Sequence, residues 1–335
     1  MTNFRNLSVV LTKRASGIPA PDNFAVVDLD RPRATDGAVV VRVRCASVDP
    51  AMRGWVSSEP NYLSVPTGTV MRAHGVGEIV ESGSSAWSPG DLVYGFFGWQ
   101  EYHSATVDQI MWKVDQAVAP LPAWLGPLGL NGLTAWVGLR KFGRPKAGET
   151  LLVSTAAGGV GSVVGQLAKA DGVRAVGLTS DPSKVALAVE DYGYDVAIDY
   201  RSVDDLARAI AAASPRGVDV YFDNVAGNIS DAVFPSLNKG ARIAQCGTAS
   251  VASWIPVPHG PRRERDVLVK RLSWTGFVVF DHTDQFDEAL AELKNLYVSG
   301  KLKSHEEILD GLHAGPTAIE RLYASRNRGR LCIAL

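Results

Sequence analysis

"LLVSTAAGGVGSVVGQLAK", Leu151 to Lys169, is the stretch whose reading decides the fold. Leu151–Ser154 is an almost wholly apolar run, read as a buried strand. A glycine-rich turn follows, and Val163, Val164, Leu167 and Ala168 then fall on one face of a helix. Strand, turn and helix in that order offer backbone N–H groups and the positive end of a helix dipole to an anion. This is how many proteins hold the diphosphate of a dinucleotide. The turn departs from G-x-G-x-x-G at its first glycine, reading Ala156-Ala157-Gly158-Gly159-Val160-Gly161. Gly158 lets the backbone approach the diphosphate and Gly161 lets the helix pack on the strand, while Ala156 is tolerated if its φ is negative. Ala157, Gly158, Gly159, Val160 and Gly161 are therefore the expected phosphate cradle.

The second strand selects the cofactor. An NAD site carries an acid about 20 residues beyond the turn, which binds the ribose 2′-OH. Here that strand ends "GLTSDPSK" (Gly177 to Lys184), and the acid position falls on Thr179. Asp181 precedes Pro182 and reads as the cap of the next helix. With no acid at the strand end a 2′-phosphate is not repelled, and Lys184 is placed to pair with it. The expectation is NADPH/NADP+ rather than NADH. A solvated helix charge is the other reading of Lys184.

Outward from this stretch the chain divides by pattern. "AVVVRVRCASV" (Ala38 to Val48) alternates as a half-buried strand does, and glycine-bounded β-prone runs follow at Gly75–Gly83 and Gly90–Ser104. They predict a compact, mostly antiparallel β unit. The Pro- and Gly-rich "VAPLPAWLGPLGLNGLTAW" (Val118 to Trp136) is the expected junction. From Leu151, strands alternate with helical segments, the signature of βαβ crossovers and a parallel sheet. The fold class is α/β: a mostly-β N-terminal domain (1–123), a doubly wound parallel-sheet domain (124–299) and a return to the first domain (300–335).

The chain has 335 residues, with 34 basic and 35 acidic side chains and a formal net charge of −1. Nothing there favours nucleic acid or an anionic membrane as partner. No apolar run reaches membrane-span length, and "MTNFRNLSVVLTKR" does not read as a secretory leader. Cys45, Cys246 and Cys332 stand far apart without a C-x-x-C spacing, so a reduced, cytoplasmic setting is expected.

Several separated motifs carry a resemblance that spans nearly the whole chain: "SVDPAMRG" (Ser47 to Gly54), "GWQEY" (Gly98 to Tyr102), "GLTAW" (Gly132 to Trp136), "AAGGVGSVVGQLAK", "AIDYR" (Ala197 to Arg201), "VDVYFDNVAG" (Val218 to Gly227), "QCG" (Gln245 to Gly247), "SGKLK" (Ser299 to Lys303) and "SRNRGRL" (Ser325 to Leu331). In this order they resemble the medium-chain dehydrogenase/reductase superfamily, and within it the zinc-independent prostaglandin reductase and alkenal/curcumin double-bond reductase family. The resemblance implies a GroES-like first domain and a Rossmann second domain, with the cofactor in a cleft between them. It implies that Lys184 and Tyr200 meet the 2′-phosphate, that Asn224, Cys246 and Gly247 line the cofactor, that Phe277 and Val279 run along the nicotinamide, and that Asn327 reaches back to the cofactor. Read singly, Tyr200 is equally a strand-edge residue, Asn224 a turn residue and Phe277 a core residue.

Zinc alcohol dehydrogenases are the nearest competing pattern. They require cysteine, histidine and glutamate ligands in the first domain. Here Cys45 is followed by "ASVDP", His74 lies in "RAHGVGEIV" without an adjacent glutamate, and Asp49 stands at the position facing the zinc cysteine. No metal is expected. The reaction expected without one is hydride delivery to an electron-poor C=C, with donors near the developing oxyanion. Two tyrosines usual in the family are Ala51 and Ala252 here, which widens the pocket and removes phenols. Tyr62, a cofactor ribose hydroxyl or water is left as proton donor. Trp254, on "ASWIPVPHGPRRERD", either refills the pocket or belongs to a surface lid. The expected activity is an NADPH-dependent enone and enal reductase. The alternatives are a quinone oxidoreductase and a non-catalytic nucleotide-binding member. A small-molecule substrate and a homodimer are the expected partners.

Overall fold

β-Branched and aromatic residues at alternating positions make the first third of the chain a sheet. The structure, a computed structural model, describes residues 5–335. Met1–Phe4, the start of the stretch read above for a leader, lie outside the described residues. β1 (Arg5–Leu11) pairs antiparallel with β2 (Phe24–Asp30). β3 (Ala38–Ser47), the short helix α1 (Ala51–Val56), β4 (His74–Ser82), β5 (Leu92–Phe96), β6 (Tyr102–Thr106) and β7 (Ile110–Lys113) follow.

The βα alternation then begins. Its elements are α2 (Leu130–Val137), β8 (Thr150–Ser154), α3 (Gly161–Ala170), β9 (Arg174–Thr179), α4 (Pro182–Ala186), β10 (Val196–Asp199), α5 (Leu206–Ala213), β11 (Val218–Asp223), α6 (Gly227–Val233), β12 (Leu237–Gln245), α7 (Glu264–Lys270), β13 (Ser273–Gly276) and α8 (Phe286–Val298). The chain ends with β14 (Glu306–Asp310), α9 (Gly315–Tyr323) and β15 (Arg330–Ala334).

These elements form two compact units, one running up to Leu125 and resuming at Glu306–Leu335, the other Gly126–His305. The first unit holds a sheet in the order β14-β15-β3-β4-β5-β7, with β6 also on β3. Its pairings are antiparallel except β14 with β15. The C-terminal strand thus completes the N-terminal sheet, with Cys332 opposite Ser47. Val39, Val41, Val43, Trp55, Phe97 and Trp99 are among its core residues.

The second unit holds six parallel strands in the order β10-β9-β8-β11-β12-β13. The chain starts at β8, steps outward to β9 and β10, and returns beside β8 with β11. This doubly wound order puts the topological switch point between β8 and β11, where open α/β sheets bind ligands beyond the strand ends. Tyr194, just before β10, packs against α3: a Cβ on Gly165 would lie 2.2 Å from its ring. Its hydroxyl donates to Gly161 O at 2.6 Å. Among the described residues, no helix is long and apolar enough to cross a membrane.

Candidate active site

At the end of β8 the left-handed residue is Thr155, with φ +53°, and not the alanine that replaces the first glycine. Its Oγ1 donates to Ser154 O at 2.7 Å. Ala156 is fully buried, and a Cβ on Gly177 would lie 2.6 Å from the Ala156 methyl. The methyl gained at 156 is accommodated by its absence at 177, on the neighbouring strand. At Gly161 a Cβ would lie 2.2 Å from Thr155 O, so only glycine fits there. Gly158 N donates back to Thr155 O at 2.9 Å and closes the turn. Among the described residues, no main-chain carbonyl takes the N–H of Gly159 or Val160. Those donors, at the N-terminus of the ten-residue α3, fit a diphosphate.

One strand over, Thr179 is buried and its carbonyl accepts Tyr200 N at 3.0 Å. This places Tyr200 beside the end of β9. Lys184 is almost wholly buried, its Nζ 3.4 Å from Ser180 Oγ and 3.6 Å from Asp181 Oδ2. Asp181 caps α4: its Oδ1 accepts Lys184 N at 3.0 Å and the Ser183 hydroxyl at 2.6 Å. Burial alone would raise the Asp181 carboxyl, but those bonds and the Lys184 charge outweigh it and hold it low. The acid that follows this strand is therefore engaged as a cap. The Arg201 guanidinium stands 5.9 Å from the Tyr200 ring centroid and brings a second cation here, one the sequence reading passed over.

At the switch point Asn224 bridges the two strands. Its Nδ2 donates to Ser154 O at 2.7 Å and its main-chain N–H to Ser154 Oγ at 2.8 Å. Cys246 N and Gly247 N both donate to Asp223 O, at 2.8 and 3.1 Å. A Cβ on Gly247 would lie 2.8 Å from Asn224 O, so the two turns abut. Burial, with the nearby Asp223 charge, pushes the Cys246 thiol up to about 12. Ala226, next to this turn, has φ +58° and ψ −163°, a region essentially restricted to glycine.

Phe277 stacks on Phe142 at 5.0 Å and meets Phe222 edge-on at 6.2 Å, so its ring packs in an aromatic cluster. Val279 is buried. Ala252 lies on the loop after β12. Trp254 is exposed and lines a recess of about 470 Å³ with Phe234 and Trp274.

The other expected site residues, Ala51, Tyr62 and Asn327, belong to the first unit. Ala51 opens α1. Tyr62 is exposed, and its hydroxyl receives Trp55 Nε1 at 3.4 Å. Asn327 is buried, and its Nδ2 donates to Gly329 O at 2.8 Å. Asp49 is buried against Arg330, Nη1 to Oδ1 at 2.6 Å, while Ser47 Oγ donates to Oδ2 at 2.6 Å. Burial alone would raise this carboxyl, but Arg330, His74 and Ser47 hold it low. Burial pushes the Cys45 thiol up to about 11 and the His74 imidazole down to about 3. Among the described residues, no three His, Cys, Asp or Glu side chains gather as a metal-ligand group.

Two family profiles match the chain. "N-terminal domain of oxidoreductase" covers residues 8–113 and "Zinc-binding dehydrogenase" covers residues 159–295. The NADPH-dependent curcumin reductase of Escherichia coli is 38% identical over 336 residues, 98% of this chain and 96% of that protein. The NADP(+)-dependent 2-alkenal reductase of Nicotiana tabacum is 34% identical over 331 residues, 97% of this chain and 96% of the relative. The crystal structure of CurA from Vibrio vulnificus in complex with NADPH superimposes with a TM-score of 0.91 at 33% identity, covering 98% of each chain. The chain belongs to the medium-chain dehydrogenase/reductase superfamily, in the family of prostaglandin, alkenal and curcumin double-bond reductases.

Proposed function

We propose that this protein is an enone and enal reductase that saturates the activated C=C bond, using NADPH and no metal. It is an NADP-dependent oxidoreductase: the curcumin reductase relative is NADPH-dependent and the Vibrio neighbour is solved with NADPH. The observation that carries the finer reading is the end-to-end similarity to two double-bond reductases, in a chain whose Asp49 is already engaged by Arg330.

When bound, NADPH supplies the hydride for the β-carbon. The chain's own groups do the rest. The N–H groups of Gly159 and Val160 hold the diphosphate, with Ala157, Gly158 and Gly161 shaping the turn. Lys184 and Tyr200 face the 2′-phosphate, with Thr179 leaving room for it. Asn224, Cys246, Gly247, Phe277, Val279 and Asn327 complete the cofactor's surroundings. Ala51, Ala252 and Trp254 shape the substrate side. Tyr62 Oη is the donor for the oxygen that gathers enolate character, and a proton then reaches the α-carbon.

The reading includes a cytoplasmic homodimer. All four residues of β13 are exposed, and this open sheet edge supports pairing with a second copy. Sedimentation at micromolar concentration tests it, and a monomer contradicts it.

NADPH consumption against a panel of enones, enals and quinones, with the products identified, tests the activity. Saturated carbonyl products are expected. Hydroquinone as the sole product, or tight NADPH binding without any turnover, overturns the reading.

A further inference from the structure

The helix α1 carries a phenol near each of its ends, and the second phenol comes from the far end of the chain. At one end Trp55 Nε1 donates to Tyr62 Oη at 3.4 Å. At the other, Tyr323 Oη, from the last residue of α9, donates to Pro50 O at 2.8 Å. Pro50 and Trp55 are five positions apart in sequence, and Ala51 directly follows Pro50. The Arg53 guanidinium lies over the Tyr323 ring, 4.6 Å from its centroid. Pro50 is exposed and Tyr323 only half-buried, so this phenol–carbonyl bond lies at the surface of the unit.

Three properties suit Tyr323 to a ligand's oxygen. Its ring is half-buried and its O–H is held in place by Pro50 O at 2.8 Å. The carbonyl that holds it is neutral, so a substrate oxygen can take its place at little cost. The phenol also stays protonated: burial, only partly offset by the Arg53 charge, pushes it up to about 12. The Tyr62 phenol acts in the same direction.

We propose that Tyr323 is a specificity-determining residue of the enone site, a second phenol that, beside Ala51, hydrogen-bonds the substrate's carbonyl oxygen in addition to Tyr62. This rests on the enone reading above, and the experiment separates the two.

The probes are 4-phenyl-3-buten-2-one as substrate and its saturated product, 4-phenyl-2-butanone, as a ligand that cannot turn over. Steady-state constants are measured for the wild type and for Tyr323→Phe. Calorimetry gives the affinity of the saturated ketone for the NADP+-loaded full-length enzyme. Tyr323→Phe keeps the ring under Arg53 and loses only the hydroxyl. The expected result is a rise of about tenfold in KM for the enone and in Kd for the saturated ketone, the worth of one hydrogen bond. KM for NADPH and the thermal midpoint stay as in the wild type. The Tyr62→Phe, Tyr323→Phe double variant loses more than either single one. If Tyr323→Phe does not fold, Tyr323→Leu, which also lacks a donor, serves the same comparison. Equal ketone affinities in wild type and variant, or no ketone binding to the wild type, overturn the role of Tyr323. Tyr323-dependent ketone binding without enone turnover upholds that role and overturns only the activity.

Discussion

Arg330 Nη1 and Asp49 Oδ1 stand 2.6 Å apart although the two residues are 281 positions apart in sequence, and both side chains are buried. Arg330 also donates to Val48 O at 3.0 Å, so β15 holds the turn that leads into α1. Removing one partner leaves a buried charge uncompensated. Arg330→Met is expected to cost about 3–5 kcal/mol of folding free energy, measured by denaturant unfolding at neutral pH. A loss within experimental error contradicts the view that this pair anchors the C-terminal return.

His74 predicts the response to mild acid. It is buried, stacked on Tyr94 and tilted against Phe96, and neutral down to about pH 3, burial outweighing the attraction of Asp49. In the unfolded chain the imidazole takes its proton near its ordinary value of 6.5. Between these limits the unfolded state binds the extra proton, so stability falls as pH falls, by about 1.4 kcal/mol per pH unit for this group. Unfolding curves from pH 6.5 to 5 should show a loss of about 2 kcal/mol in the wild type that His74→Gln does not share. Equal slopes for the two proteins contradict the assignment.

The buried Lys184 gives the cofactor test. A charge-assisted bond to the 2′-phosphate is worth about 1.5–3 kcal/mol. Lys184→Ala should therefore lower kcat/KM for NADPH roughly tenfold to a hundredfold while leaving that for NADH little changed. A native preference for NADH contradicts the reading of this strand end.

Ala226 offers a gain of stability. It occupies a backbone conformation essentially reserved for glycine, with φ +58° and ψ −163°. Ala226→Gly should relieve about 1 kcal/mol of this strain, raising the thermal midpoint by about 2–4 °C. A lowered midpoint shows that the surroundings hold this conformation without cost.

What was legible in the sequence was local. The run from Leu151 to Lys169 carries strand, turn and helix in one stretch, and the structure builds β8 and α3 from it. Thr179 and the Asp181 cap were legible for the same reason, since strand-end and capping chemistry act within a few residues. The turn's internal strain was not. The left-handed residue is Thr155, one position before the substituted glycine, and Ala156 is tolerated because Gly177 leaves room on the neighbouring strand. Contacts of long sequence separation were equally hidden. Neither the Arg330–Asp49 pair nor the placing of Tyr323 at Pro50 has a local pattern. Arg201 went unnoticed because adjacency to Tyr200 does not reveal which way a side chain turns.

The central claim is hydride transfer to the β-carbon of an enone, and isotopic labelling tests it most directly. The enzyme is given NADPH deuterated at the transferring position of C4, each epimer in turn, with 4-phenyl-3-buten-2-one, and the product is read by NMR. The prediction is 4-phenyl-2-butanone carrying deuterium on the β-carbon with one epimer. An allylic alcohol with deuterium on the carbinol carbon, or label at neither position with both epimers, contradicts the account.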